Sequence, residues 1–277
     1  MAISHRHLQL RDGTAIHTEH HMATDPIANL VFIHGYTEHI GRYTWMIHVL
    51  NQAGINVYLY DLRGFGQSEG ERAYISHFDV YVADLIEYLQ AISLSAHPSF
   101  LMGHSMGSLI AATYISTNTS HPFHGYISSA GALKIDEGIS PFLRKISGIL
   151  SKIAPHLPTI KLDTNALSKD RSEVEAYIAD PMVYHGGAKA RLGYEMLEAM
   201  KKIKLLFSKI STPVLILHGT SDKLADPTGS QWMYDGISSD DKKVVWLDGL
   251  YHEIMREPEK EMVMNHIITW IKERSKK

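Results

Sequence analysis

The residues best suited to do chemistry are Gly103-His104-Ser105-Met106-Gly107. A serine with glycines two positions away on either side suits a sharp strand-to-helix turn. Such a turn aims the hydroxyl into a cleft, where a histidine can take its proton. The pentapeptide alone says little. With Gly and Ser each near roughly 7% of residues, a chain of this length shows it by chance about once in ten. It occurs twice here, the second copy being Gly66-Gln67-Ser68-Glu69-Gly70. Ser105 follows an apolar run, Ser99-Phe100-Leu101-Met102, and precedes Leu109-Ile110-Ala111-Ala112, which reads as a helix start. Ser68 has neither flank and reads as a turn serine in a glycine-rich loop. That loop also fails as a dinucleotide fingerprint, because Glu69 stands where a third glycine is needed.

A serine alcohol is a poor nucleophile at neutral pH and needs a base. On a strand–turn–helix scaffold the partners follow in the order serine, acid, histidine. Of 18 histidines, His252 and His266 follow a plausible acid loop, and His266 falls within a C-terminal helical pattern. His252 is therefore the expected base. The loop after Val214-Leu215-Ile216-Leu217 offers Asp222 and Asp226. Asp222 is nearer the strand's carboxyl end, where open α/β sheets build their sites. Asp226, before Pro227, reads as a helix cap. Two backbone N–H groups must meet the oxyanion of a tetrahedral intermediate. Met106 supplies one and Tyr36, after the turn at His34-Gly35, the other.

These residues need a scaffold that brings loops together. Apolar β-branched runs at Leu30–Ile33, Ile55–Tyr60, Phe100–Met102, Tyr126–Ser128, Val214–Leu217 and Val244–Leu247 read as strands buried on both faces. Helical patterns alternate with them. Phe78, Val82, Leu85, Ile86 and Leu89 form one stripe begun near Ser76, and a C-terminal helix opening at Pro258 turns Met262, Ile267, Trp270 and Ile271 inward. This alternation predicts an α/β fold with a mostly parallel sheet covered by helices on both faces. Leu8–Leu10 and Ala15–His17 around Asp12-Gly13 predict an antiparallel hairpin at one edge. Between residues 141 and 209 the alternation stops. Prolines at 155, 158 and 181 and the stripe Phe142, Leu143, Ile146, Ile149, Leu150 and Ile153 predict a helical cap inserted in a single domain spanning 1–277. The cap is expected to supply an apolar tunnel, and its stripe a peripheral membrane contact.

Composition excludes several function classes. Hydrophobic content of 44% and charged content of 21% suit a globular core. A net charge of −3 and no basic run beyond the terminal lysines give nucleic acid nothing to bind. With no cysteine, disulfides, thiolate metal sites and a cysteine nucleophile are all excluded. The amino terminus lacks the apolar stretch of a signal peptide, and no run is long enough to span a membrane, so a cytoplasmic protein is expected. Metal catalysis is not expected. His252-Glu253 lacks the second histidine of a zinc helix, and His17-x-x-His20-His21 reads as solvated histidines where an edge strand meets a loop. No cofactor is implied.

Four segments together resemble the monoacylglycerol lipase family of α/β hydrolases. They are His34-Gly35-Tyr36-Thr37-Glu38-His39-Ile40-Gly41-Arg42-Tyr43, Asp61-x-Arg63-Gly64-x-Gly66-x-Ser68-x-Gly70, Gly103–Gly107 and Gly249-Leu250-Tyr251-His252. The likeness continues through Ser172–Tyr177 and Asp180-Pro181 in the cap. It implies an α/β-hydrolase fold, a Ser105–Asp222–His252 triad, an oxyanion hole at Tyr36 and Met106, and a monoacylglycerol substrate. It also implies that Glu38, Arg42 and Tyr177 line a polar end for the glycerol headgroup. For those three the other reading is a surface salt bridge and a cap-core aromatic. Two positions depart from the family: Met255 stands where a pocket histidine is found, and Tyr36 replaces a small residue. Lysophospholipases and other carboxylesterases share much of the pattern, and a non-catalytic binding protein of the same fold is the alternative from another class.

Overall fold

The computed structural model describes residues 2–134 and 141–276, with side chains from residue 4 and, after the gap, from residue 146. In chain order the elements are β1 (Ala2–Gln9), β2 (Ala15–Met22), β3 (Ala28–Ile33), α1 (Thr44–Gln52), β4 (Ile55–Tyr60), α2 (Asp79–Ala91), β5 (Ser99–His104), α3 (Met106–Thr117) and β6 (Phe123–Ser129). There follow α4 (Pro141–Ile153), α5 (Arg171–Ala179), α6 (Ala190–Leu206), β7 (Val214–Gly219), α7 (Pro227–Gly236), β8 (Lys242–Leu247) and α8 (Lys260–Arg274). The strands form one eight-stranded sheet in the order β1-β2-β4-β3-β5-β6-β7-β8. β1–β2 and β2–β4 pair antiparallel and every other pair is parallel. This is the mostly parallel, helix-covered sheet expected from the alternation, with the predicted hairpin at the edge, and it is the α/β-hydrolase architecture that the resemblance implies.

The central strands are apolar throughout because both their faces are covered. Val31 and Ile33 of β3 join a core with α2, α3, α6 and α7, while Leu30 and Phe32 join one with α1 and α8. β8 departs from the prediction. It lies at the open edge, only Leu247 is buried, and Trp246 remains 39% exposed. α2 also differs in detail. Ile86 and Leu89 are only half-buried, whereas Tyr81 and Tyr88, outside the predicted stripe, are fully buried. In α8, Met262 faces solvent, and Val263 and Met264 turn inward instead. The buried stripe Val263–Met264, Ile267 and Trp270–Ile271 keeps helical spacing, and Met262, five residues before Ile267, falls off it.

The predicted insertion falls between β6 and β7 and is helical. α4 packs on α6. Ile146 and Leu150 are half-buried, Ile149 and Ile153 are exposed, and the side chains of Phe142 and Leu143 lie outside the described residues. α6 also belongs to the body, packing on α3 and sending Leu192, Ala199 and Ile203 into the main core.

Candidate active site

The turn after β5 is shaped by its glycines. Ser105 has φ 52° and ψ −118°, a left-handed conformation that costs a non-glycine residue about 1–3 kcal/mol. The tightness around it explains its neighbours. A β-carbon on Gly103 would strike the backbone of Gly107 and Ser108, and one on Gly107 would strike the carbonyls of Ile33 and His34. The Ser105 carbonyl is held by the N–H groups of Ser108 and Ala132, and its own N–H donates to the Ser129 carbonyl. The strained residue is thus fixed from three sides.

Three loops then converge at the carboxyl ends of β5, β7 and β8. Ser105 Oγ lies 2.9 Å from His252 Nε2, and His252 Nδ1 lies 2.8 Å from Asp222 Oδ2. The N–H groups of Leu224 and Ala225 donate to Asp222 Oδ1 at 2.8 and 3.0 Å, so both carboxylate oxygens are occupied. Burial alone would raise the Asp222 pKa. The charge of His252 and the bonds from His218 and His252 outweigh it and hold the carboxyl well below its ordinary range. Burial conversely depresses the His252 pKa, but the Asp222 charge and hydrogen bond leave it raised. The arrangement allows His252 to accept the serine proton at Nε2 while Asp222 fixes the tautomer and stabilises the resulting cation. Asp226 caps α7 through the Thr228 N–H and pairs with Lys134.

Among the described residues, the N–H groups of Tyr36 and Met106 make no bond outside their own elements. Met106 opens α3, where the first N–H groups have no intrahelical acceptor. Both donors flank Ser105 and are free to meet an oxyanion.

The cavity over Ser105 is lined by Gly35, Tyr36, Glu38, His104, Leu162, Leu167, Tyr177, His252 and Glu253. Its free volume is only about 20 Å³, room for a water and not an acyl chain. Leu162, Leu167 and Tyr177, all from the insertion, close it. They are tied to the histidine loop, since Glu253 N–H donates to the Leu167 carbonyl at 2.7 Å and Arg256 pairs with Glu173.

The three residues carried by the resemblance are divided. Glu38 and Tyr177 line the cavity. Arg42 stands behind it, 3.1 Å from Glu38, in a two-pronged pair with Glu253, and against the Tyr177 ring at 4.6 Å. The pair is not a surface salt bridge, because Glu38 and Arg42 are both buried. Burial opposes ionisation of Glu38, but the fields of His104 and Arg42 more than offset it, leaving the carboxyl at about 2. Gly35 N–H and the Tyr43 hydroxyl also donate to Glu38 Oε1. Met255 is 5% exposed and packs in the α1–α8 core, away from this cavity.

Sequence reasoning missed three groups. Glu253, whose only mark in the sequence is the incomplete zinc pattern it makes with His252, lines the cavity and pairs with Arg42. His104, whose pKa burial lowers to about 4, packs against His252 with ring centroids 5.0 Å apart and the rings tilted at 47°. His218 is fully buried, its Nε2 3.1 Å from Asp222 Oδ2 and its Nδ1 2.7 Å from Ser230 Oγ. It is the penultimate residue of the apolar strand β7, a position that by itself names no partner.

The family model for serine aminopeptidase S33 hydrolases matches residues 24–259. The chain belongs to that family. It is a serine hydrolase of the α/β-hydrolase fold. A monoacylglycerol lipase of Mycolicibacterium smegmatis is 34% identical over 253 residues, covering 90% of this chain and 89% of the relative. The human monoglyceride lipase is 30% identical over 274 residues, covering 97% and 90%. Among solved structures, the monoacylglycerol lipase of Paleococcus ferrophilus superposes with a TM-score of 0.84 at 29% identity, covering 94% of this chain and 99% of that one.

Proposed function

We propose that this hydrolase cleaves the single acyl ester of monoacylglycerols, releasing glycerol and a fatty acid through an acyl-enzyme. Ser105 attacks the ester carbon as its proton passes to His252 Nε2. The N–H groups of Tyr36 and Met106 hold the oxyanion, each contributing about 3 kcal/mol to the transition state. His252 then protonates the departing glycerol oxygen and activates the water that releases the fatty acid.

The observation that carries this reading is the composition of the cavity over the Ser105–His252–Asp222 relay. It is apolar at Leu162 and Leu167, and on the other side Glu38, Tyr177 and Glu253 border it. That polar side suits a neutral polyol and repels a phosphate. Glu38 and Tyr177 meet the headgroup, and Arg42 positions them. The resemblance to characterised monoacylglycerol lipases supports the same substrate class. For an acyl chain to enter, Leu162 and Leu167 must swing away, and each methylene then buried adds about 0.8 kcal/mol.

The insertion also serves as a peripheral membrane contact, collecting lipid at an interface. Ile149 and Ile153 of α4 are 57% and 77% exposed, and Leu157 and Ile160 continue the apolar surface. No helix among the described residues is long and apolar enough to cross a membrane.

A hydrolysis panel of monoolein, diolein, lysophosphatidylcholine and a short p-nitrophenyl ester tests the substrate. The highest kcat/KM is expected on monoolein, and a preference for lysophosphatidylcholine overturns the substrate class while leaving the mechanism. Labelling of Ser105 by a fluorophosphonate tests the mechanism separately. Equal partitioning of wild type and Ile153→Glu onto liposomes would remove the membrane contact.

A further inference from the structure

We propose that His5, His17 and Glu19 form a binding site for a zinc-class divalent metal, which clips the edge strand β1 onto β2. The site is distinct from the Ser105 cavity and plays no part in the ester chemistry.

The register of the hairpin creates the cluster. His5 lies opposite Glu19 and His7 opposite His17, with Ile3 opposite His21. Alternate residues of a strand share a face, so His5 and His7 of β1 and His17, Glu19 and His21 of β2 all project to one side. On β4 that side carries Val57 and Leu59, the partners of His21 and Glu19. Four imidazoles and one carboxylate therefore occupy one patch. The histidines do not sit at the strand's end in solvent, as the sequence suggested. His17 and His21 lie inside β2 and are buried.

Two of the three separations within the ligand set already match a metal's requirements. His5 Nδ1 and His17 Nε2 each lie 3.2 Å from Glu19 Oε1, and one ligand atom from each of the three residues falls within 4.8 Å of the others. Ligands about 2.0–2.1 Å from a tetrahedral zinc are separated by about 3.3 Å. The carboxylate's second oxygen is held by His21 Nε2 at 2.8 Å, which fixes its orientation as supporting residues do around metal ligands. Two imidazoles and a carboxylate favour zinc or its neighbours over magnesium or calcium, which take oxygen ligands.

Access and protection are both present. The side chains of His17 and Glu19 are 5% and 14% exposed, while that of His5 is 58% exposed and opens the site to solvent. A water completes the fourth position. Because His5 belongs to β1 and the other two ligands to β2, the metal would tie together the outermost pair of the sheet, where no further strand protects the edge.

The test is calorimetric titration of the metal-stripped, untagged full chain with zinc chloride. One equivalent is expected to bind. At free zinc about a hundred times the dissociation constant, Tm should rise by about 5–10 °C, with slowed amide exchange across β1. His5→Gln removes an exposed ligand, leaves the fold intact, and should weaken binding at least about tenfold. Glu19→Gln should weaken it further, and His77→Gln, outside the cluster, should leave it unchanged. Failure of wild type to take up one saturable equivalent overturns the site. So does equal binding by His5→Gln and wild type, which would leave the cluster an ion-pair network without a metal.

Discussion

Two stretches of this chain carry the same Gly-x-Ser-x-Gly pattern and use it for opposite ends. In the loop at Ser68 the hydroxyl is consumed by structure, donating to the Asp61 carbonyl at 2.6 Å and accepting the His17 N–H at 2.9 Å. Around it Asp61 receives the N–H groups of Ile40 and Gln67, and Gly66 adopts φ 52° where a side chain would collide with that carboxylate. In the turn at Ser105 the backbone holds the strain and the hydroxyl is left for His252. Gly103 lets the first turn of α3 fold back on β5, and Gly107 lets α3 cross close to the end of β3. A glycine pattern thus reports only that the backbone is tight. Whether the serine is spent on the fold or kept for chemistry depends on which groups surround its oxygen.

The comparison is broken most severely at Ser105 itself. Ser105→Ala should lower kcat by about 10⁶-fold without loss of Tm, and retention of more than about a hundredth of the activity would return Ser68 to contention. Next, Asp222→Asn should cost about 10⁴-fold, because the imidazole is no longer held in the accepting tautomer.

The same variant sharpens the pH dependence. Since His252 must be neutral to act and its pKa is raised, wild-type kcat/KM should rise with pH through a midpoint above 6.5. Without the Asp222 charge, burial is opposed only by the charges of Glu253 and Glu38, and the midpoint should fall relative to wild type. Stability carries the matching signs. The depressed Asp222 pKa contributes stability that is complete above its ordinary 3.8 and lost as pH falls through the folded value. The raised His252 pKa contributes stability that is complete below 6.5 and lost as pH rises through the folded value.

His218→Leu should reduce kcat by about 10–100-fold, the equivalent of one hydrogen bond to a charged group. As a positioning effect it should also move the His252 midpoint, which a packing defect would not do. The smallest catalytic effect belongs to the twin: Ser68→Ala should leave kcat within about twofold while costing about 1–3 kcal/mol in denaturant unfolding, from two buried backbone groups left unpaired.

Much of this site was legible because local chemistry and chain order constrain it. Ser105 was readable from the apolar run before it and the helix after it. Asp222 and His252 were readable from their places after particular strands. Glu253, His104 and His218 were not, since nothing about a lone glutamate or histidine says that folding will press it against Asp222 or Arg42. Met262 is a different case: it lies five residues before Ile267, off the three-and-four spacing that Val263, Ile267, Trp270 and Ile271 keep, so stricter periodicity excludes it.

The residues alone therefore determined the layer architecture, the elbow, the order of the partners and the absence of cysteine chemistry, because each follows from pattern, spacing or composition. The tertiary structure decided which backbone groups hold the Ser68 hydroxyl and that Arg42 stands behind the cavity. It also decided that Leu162, Leu167 and Tyr177 close over Ser105 and that three histidines gather around Glu19. Those outcomes depend on contacts between segments far apart in the chain, and burial and distance acquire values only when the sheet brings those segments together.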